Sequence, residues 1–201
     1  MPEITAQMVK DLRDQTGASF IDCKNALNDT GADFDKAVEL LKIKGVAKAS
    51  KKASRVTPEG SITSYIHAGG KIGVLLEINC ETDFVARNDE FQQLSREIAM
   101  QIAAANPQYI KSEDIPESIV EKEKEVLKAQ VIEEGKKPEI ADKIVEGKIN
   151  KFYEEMCLLA QAYIREPKTK IADLIQNAIA KIGENIVIRR FERFQLGEPL
   201  D

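Results

Sequence analysis

An acidic and an aromatic residue, Asp83 and Phe84, stand side by side in a short segment between a predicted strand and a predicted helix. A short loop that is held by rigid elements at both ends can present a fixed probe to a partner molecule. The alternative is structural: Phe84 packs into the core, and Asp83 accepts hydrogen bonds from free amides at the start of the helix. The residue types alone favour this structural interpretation.

The other groups that could do chemistry are His67 and three cysteines, Cys23, Cys80 and Cys157. A cysteine beside a histidine can act as a nucleophile, but these cysteines are widely spaced and offer too few ligands for a structural zinc site. Cys23 and Cys80 fall on predicted apolar faces, which is typical of inert buried thiols. His67 comes just before a predicted hairpin turn. We therefore expect no catalytic residue, no metal and no cofactor.

The composition argues against nucleic-acid binding as the main activity. The net charge of the 201 residues is −5, and only 5% of them are aromatic. Phosphate backbones attract basic proteins, and base stacking along a strand needs aromatic platforms. The segment from Lys44 to Pro58 is basic, so an RNA contact there remains an alternative. A solvated helical linker is the more favourable interpretation of residues 46–59.

Two elements must position Asp83 and Phe84. Before them, apolar residues alternate with the period of a strand that has one buried face. After them, apolar residues recur at helical spacing, and Asn88 is placed as the N-cap. The strand positions are Ile72, Val74, Leu76, Ile78 and Cys80, and the helix positions are Phe91, Leu94, Ile98 and Ile102. The chain therefore turns between residues 81 and 87.

Residues 4–45 predict three short helices, because each segment has a capping or stop residue next to an apolar stripe. In the second helix, Ser19 followed by Asp22 is close to a capping box. The predicted boundaries are Thr5 and Gly17 for the first helix, Ser19 for the second, and Asp33 and Gly45 for the third. The residues predicted to face the core of the second and third helices are Phe20, Cys23, Ala26, Leu27, Phe34, Ala37, Val38 and Leu41.

The rest of the chain predicts an α+β core domain over residues 60–201. Strands at 60–67 and 71–80 form a hairpin through Gly69 and Gly70. A helix follows at 88–105, and a helical hairpin spans about 117–164, broken at Gly135, Lys136, Lys137 and Pro138. The apolar seam of its second helix is Val145, Ile149, Phe152, Met156, Leu159 and Tyr163. A last helix begins at Thr169, and a last strand, Ile186 to Leu196, completes a three-stranded antiparallel sheet on which the helices pack.

Several motifs resemble one known family in the same order along the chain. They begin with Leu12-Arg13, Thr16-Gly17-Ala18 and Asp22-Cys23-Lys24-Asn25-Ala26-Leu27, continue through Gly69-Gly70-Lys71-Ile72-Gly73-Val74 and Thr82-Asp83-Phe84-Val85, and end with Arg189-Arg190-Phe191 and Leu196-Gly197-Glu198. This set resembles the elongation factor Ts family. The pattern departs from the family at Ser19, where a glycine is common, and at Ala162-Tyr163.

The resemblance reverses the interpretation of Phe84. It implies a guanine-nucleotide exchange factor of protein biosynthesis that binds elongation factor Tu with GDP and promotes GDP release. The residues that would enter the partner and disturb its magnesium and phosphate site are Thr82, Asp83, Phe84 and Val85. A second contact would come from Gly17, Asp22 and Lys24. The first 45 residues would form a bundle of the ubiquitin-associated type.

The length matches short members of the family, which implies a homodimer in which the sheet or helices of one copy replace a missing half. No apolar run has membrane-spanning length, and no secretory signal is evident, so we expect a soluble cytoplasmic protein that does not bind membranes or nucleic acid directly. A different function remains as an alternative: an adaptor that uses the N-terminal bundle, or an RNA-binding module that uses the basic linker.

Overall fold

A computed structural model describes residues 4–135 and 138–199 of the chain. Lys136 and Lys137, part of the predicted break in the helical hairpin, lie outside the described residues, as do residues 1–3, 200 and 201 at the ends of the predicted domains. The helices of the described part are α1 (Ala6–Thr16), α2 (Phe20–Asp29), α3 (Phe34–Ser50), α4 (Asp83–Ala86), α5 (Asp89–Ala105), α6 (Glu117–Glu133), α7 (Pro138–Met156) and α8 (Ile171–Ile182). Its strands are β1 (Glu59–Ile66), β2 (Ile72–Cys80), β3 (Ala162–Tyr163), β4 (Glu166–Lys170) and β5 (Ile186–Gln195).

The predicted caps of the first three helices are confirmed. The side chains of Thr5, Ser19 and Asp33 accept hydrogen bonds from backbone amides of the first turns that follow them. Gly17 ends α1 with a φ of +67°, a left-handed conformation that glycine adopts without a Cβ penalty. Local residue chemistry is therefore enough to set these boundaries.

The three helices enclose a small apolar core of their own, whose buried members are Val9, Leu12, Cys23, Ala26, Leu27, Ala37 and Leu41. The prediction that Phe20 belongs to this core is wrong, because its side chain is 50% exposed. Phe20 is the first residue of α2, and helical side chains tilt toward the N-terminus.

The third helix does not stop at Gly45 as predicted, since α3 continues to Ser50. Gly45 lies in the helix without a positive φ, and a Cβ built on it would stand 3.5 Å from the Cβ of Ala180 in α8. One turn later, Ala49 is buried. Small residues at this spacing let another helix approach, so tertiary packing extends α3 into the segment predicted as a linker.

The predicted α+β class and its three-stranded antiparallel sheet are confirmed, with the strand order β1-β2-β5. The amide of His67 donates to the carbonyl of Ile72 at 2.9 Å, which closes the hairpin between β1 and β2. Gly69 and Gly70 form its turn with φ values of +90° and +67°. The buried face of β2 consists of Val74, Leu76, Ile78 and Cys80, as its alternation predicts.

Helices α6 and α7 pack against each other, and α7 begins at Pro138. The predicted seam is wrong beyond Met156, where α7 ends. The amides of Leu158 and Leu159 donate to the carbonyls of Tyr109 and Ile110 instead of continuing the helix. Pairing with a segment about fifty positions earlier therefore ends α7, and Tyr163 lies in β3 rather than in a helix.

The sequence did not predict the small hairpin of β3 and β4, and the prediction that a helix begins at Thr169 is wrong. Thr169 lies in β4, and α8 starts two residues later at Ile171. Buried Gln101 donates to the carbonyl of Ala162 at 3.2 Å and accepts from the amide of Ile164 at 2.9 Å. This buried amide satisfies backbone groups of the hairpin, which apolar periodicity cannot reveal.

The chain forms two compact units. The first comprises Met1–Ile62, Glu77–Ser95 and Asp173–Arg189, and the second comprises Thr63–Leu76, Arg96–Ala172 and Arg190–Asp201. The division into domains at 1–45, 46–59 and 60–201 stays a prediction. Among the described residues, no helix combines the length and the apolar character needed to cross a bilayer.

Candidate functional site

Phe84 is the most exposed large apolar side chain of the described residues, at 89%. It lies on α4, a single helical turn that the sequence analysis treated as a loop. Ala86 is the buried side chain of this turn, and Asp83 and Phe84 point away from the core. The structural interpretation of Phe84 as a core residue is therefore wrong, and the ring is available to a partner.

Thr82 starts the turn that carries Phe84. Its hydroxyl oxygen accepts a hydrogen bond from the amide of Val85 at 3.4 Å, and its carbonyl accepts from the amide of Ala86 at 3.1 Å. Asn88 then caps α5, since its side-chain oxygen accepts from the amide of Glu90 at 2.7 Å. The helical turn is thus placed between the end of β2 and the start of α5 by local hydrogen bonds.

Asp83 is held by an ion pair within the same turn. The guanidinium of Arg87 lies 2.8 Å from the carboxylate of Asp83, and their side chains are 79% and 54% exposed. Exposed pairs of this kind contribute about 0–1 kcal/mol, because water screens them and ordering two side chains costs entropy. Asp83 can therefore exchange Arg87 for a group of a partner at little cost.

A carboxylate from a distant part of the chain holds the base of this turn. Glu184 accepts hydrogen bonds from the amides of Glu81 and Thr82, both at 3.0 Å, and from the hydroxyl of Thr82 at 2.7 Å. Glu184 follows Gly183, which ends α8 with a φ of +94°. The sequence analysis missed Glu184. The signal that could have found it is a pair of polar residues, Glu184 and Asn185, between the end of a helix and a buried strand.

A contact in the opposite direction joins Glu81, the residue before Thr82, to Asn185, the residue after Glu184. The carboxylate of Glu81 accepts from the amide of Asn185 at 2.7 Å, and the side-chain amide of Asn185 donates to the carbonyl of Arg55 at 2.9 Å. Arg55 also lies 3.4 Å from the Glu81 carboxylate. Burial, together with the neighbouring Arg55, lowers the pKa of Lys52 in the same region.

The basic linker therefore uses part of its charge within the protein. Lys48 pairs with Asp22 at 2.9 Å, and Arg55 pairs with Glu81. Like the pair of Asp83 and Arg87, these exposed pairs can be exchanged at little cost, so they do not by themselves decide against an RNA contact.

The residues of the predicted second contact lie at the start of α2 and in the turn before it. Lys24 is exposed. The Asp22 carboxylate accepts from the Ser19 hydroxyl at 2.7 Å and pairs with Lys48; these two contacts lower the pKa of Asp22. A Cβ on Gly17 would stand 3.0 Å from Cδ of Lys181, whose amino group pairs with Glu90 of α5. Asp22 and Gly17 thus have structural roles in addition to any contact with a partner.

The three cysteines and His67 lie in different environments, the cysteines buried and His67 exposed. All three cysteines are free and buried, and burial raises the pKa of Cys80 and of Cys157 to about 11. A thiol with a raised pKa is a poor nucleophile at neutral pH. His67 is exposed, and its Nδ1 lies 3.1 Å from the hydroxyl of Tyr65. Among the described residues, no group of three or more histidine, cysteine or acidic side chains is placed to hold a metal ion.

Comparison with known proteins identifies the family. The family profile described as "Elongation factor TS" matches residues 6–178. The chain is 62% identical over 198 residues to elongation factor Ts of Thermodesulfovibrio yellowstonii, covering 98% of both chains. It is 57% identical to elongation factor Ts of Thermoanaerobacter sp., covering 98% of this chain and 97% of the relative. A third relative, elongation factor Ts of Desulfitobacterium hafniense, is 53% identical, covering 100% of this chain and 93% of the relative. The chain therefore belongs to the elongation factor Ts family of translation elongation factors.

Proposed function

We propose that this chain is a guanine-nucleotide exchange factor that binds elongation factor Tu with GDP and accelerates GDP release. The observation that carries the proposal is the Phe84 ring, 89% exposed on a short turn whose backbone is firmly held. Leaving such a ring in water forgoes about 1.5–3 kcal/mol of burial free energy. That free energy becomes available when a partner covers the ring. Membership of the elongation factor Ts family supports elongation factor Tu as that partner.

The proposed mechanism weakens the binding of GDP to elongation factor Tu. Asp83 and Phe84 enter between helices of the GTPase domain and shift the elements that support its magnesium ion and phosphate loop. The ion and the loop amides supply much of the electrostatic attraction for GDP. A packed helix moves between discrete arrangements, so a small wedge can displace it.

The energetic requirement is modest. Each ~1.4 kcal/mol removed from the release barrier accelerates release tenfold. The coupling is reciprocal, so a nucleotide that binds the partner again must weaken the contact with this protein. The protein would act by binding alone, with no substrate or cofactor of its own and no direct contact to nucleic acid.

The remaining residues of the turn support Asp83 and Phe84. Thr82 caps the turn, and half-buried Val85 extends the apolar surface next to Phe84. A second contact would come from the bundle, where exposed Lys24 is available to an acidic surface. Gly17 and Asp22 would shape this second surface through the contacts described above.

We also propose that the protein is a cytoplasmic homodimer. The support is its resemblance to short members of the family, together with exposed apolar residues such as Ile62 and Ile66 on β1, a strand at the edge of the sheet.

The deciding experiment is the release of a fluorescent GDP analogue from purified elongation factor Tu. The chain should accelerate release, and Phe84→Ala should remove most of the acceleration. Truncating an aromatic hot spot costs about 2–4 kcal/mol, which corresponds to a loss of roughly thirtyfold or more.

Phe194→Ala is the matched control, because Phe194 is also an exposed phenylalanine, at 63%. It should keep the rate of the unmodified protein. Equal rates for Phe84→Ala and the unmodified chain would refute the role of the ring. No acceleration by the unmodified chain would refute the proposed function itself.

A further inference from the structure

We infer that Glu184 is a positioning residue for the probe, the segment Thr82–Val85: it holds the base of the turn so that Phe84 keeps one orientation. This inference rests on the proposed function. The carboxylate is half-buried and accepts from the amides of Glu81 and Thr82 and from the Thr82 hydroxyl.

The turn needs such support because it is too short to be stable alone. One helical turn fixes several backbone dihedrals for very few hydrogen bonds, so an isolated turn does not persist in water. Phe84 contributes almost no packing of its own, since 89% of its side chain is exposed. The orientation of the ring therefore depends on what fixes the backbone beneath it.

Support at the C-terminal side of the turn comes from its own neighbours. The side-chain amide of Gln92 donates to the carbonyl of Ala86 at 2.6 Å, and the amide of Asn88 donates to the carbonyl of Val85 at 3.0 Å. At the N-terminal side, the side chain that holds both Glu81 and Thr82 by their amides is Glu184. The two sets of contacts fix the probe at both of its ends.

A carboxylate suits this position better than a neutral group. Each of its oxygens accepts at least one of the donors named above, and hydrogen bonds to a charged acceptor are about twice as strong as those between neutral groups. An amide side chain has a single oxygen, so with that oxygen on the two backbone amides the Thr82 hydroxyl could only accept from its NH₂ group, and the negative charge would be lost. Positive charge accompanies these carboxylates, because Arg55 lies 3.4 Å from Glu81 and both Glu81 and Glu184 act electrostatically on Lys52.

An ion pair also connects α8 with the same region of the chain. The amino group of Lys181 pairs with Glu90 in the first turn of α5, just beyond the probe. The C-terminal end of α8 and the residues after it thus contact the first residue of the probe, Thr82, and the chain on both sides of the probe, at residue 81 and at residue 90. A probe that is fixed in advance loses less conformational entropy when it binds, and so binds more productively.

The test compares Glu184→Gln with the unmodified chain in stimulated GDP release and in amide hydrogen exchange. We expect the variant to fold and its second-order rate constant for stimulated GDP release to fall about tenfold. We also expect the backbone amides of Glu81 and Thr82 to exchange with solvent at least about tenfold faster. Glu192→Gln is the matched control, since Glu192 is an exposed glutamate on β5, and it should behave like the unmodified chain.

A double variant separates positioning from general stability. If Glu184 acts through the probe, Glu184→Gln should cost little further activity in a Phe84→Ala background. The same fractional loss in both backgrounds would overturn the positioning role, as would release at the unmodified rate in Glu184→Gln.

Three further results complete the test. If Glu184→Gln does not fold, Glu184→Asp keeps the charge but shortens its reach to the amides of Glu81 and Thr82, and a two- to threefold loss is expected; an unchanged rate would overturn the role. A complete lack of acceleration by the unmodified chain would overturn the proposed function, and the positioning role with it. Acceleration that depends on Phe84 but not on Glu184 would overturn the positioning role alone.

Discussion

Asp22 and Lys24 are two residues apart on α2, yet the structure assigns them different roles. Asp22 is engaged by the Ser19 hydroxyl and by Lys48, whereas Lys24 is exposed to solvent. A residue that is already held within the protein contributes mainly to stability, and a free charge can contribute to the encounter with a partner. The motif that contains both residues therefore mixes a structural and a binding component.

Asp22→Asn should lower the free energy of unfolding by about 1 kcal/mol at pH 7, because the ionised carboxylate is the better acceptor. The contacts of Asp22 lower its pKa, so its contribution is fully present above 3.8, the ordinary value, and is lost as the pH falls through the lower folded-state pKa. Urea unfolding at pH 7 and below pH 3.8 measures this difference.

Lys24→Ala should keep the stability and raise the factor concentration for half-maximal GDP release about threefold. An Asp22→Asn variant with normal stability but reduced affinity would contradict this assignment.

Tertiary contacts modify where several secondary-structure elements begin and end. The cap at Asp33 and the first turns of α3 follow local chemistry, whereas the extension of α3 through Gly45 depends on its approach to Ala180. Gly60 shows the same dependence in a strand. Its φ is +152°, and a Cβ built there would lie 2.2 Å from the carbonyl oxygen of Ile78. Close pairing of β1 with β2 therefore requires glycine at this position.

Gly60→Ala should destabilise the protein by at least about 2 kcal/mol, because the backbone of β2 cannot yield as a flexible side chain would. Gly147→Ala is the control with the opposite expectation. Gly147 lies in α7 without positive φ and with nothing within 4 Å of a built Cβ, so alanine should stabilise the helix by roughly 0.5–1 kcal/mol. Thermal or urea unfolding of the two variants measures both changes. Equal stability of the two variants would refute the close-approach argument.

At the scale of the whole molecule, exposed apolar surface bears on whether two copies of the chain associate. Exposed apolar residues occur on β1, where Ile66 is 67% exposed, and on α6, where Val126 is 44% exposed. Both the sheet and the helical hairpin thus offer apolar surface that a second copy could cover. The resemblance to short members of the family supports the proposed dimer.

We expect analytical ultracentrifugation at micromolar concentration to give twice the mass of one chain. Ile66→Lys should shift the equilibrium toward monomer if the sheet forms the interface, and Val126→Lys should do so if the helical hairpin forms it, because a buried unpaired charge is costly. A single species of monomer mass for the unmodified chain would exclude the proposed homodimer.

Local signals were readable from the sequence because they depend on residues a few positions apart. The caps at Thr5, Ser19 and Asp33 and the alternation that buries Val74 and Leu76 are all present in the structure. A cap joins residues two or three positions apart, and a strand alternates with a period of two. The resemblance to the elongation factor Ts family also came from sequence alone, and the comparisons confirm it.

The exposure and the support of the probe were decided only by the tertiary structure. Residue types favoured a buried Phe84, yet the ring is exposed on α4. The contact between Thr82 and Glu184 joins residues 102 positions apart, and no periodicity in the sequence marks such a pair. The end of α7 and the β3–β4 hairpin depend in the same way on hydrogen bonds to distant groups. Short-range patterns specify elements, whereas long-range hydrogen bonds and packing decide where the elements end and which side chains remain in water.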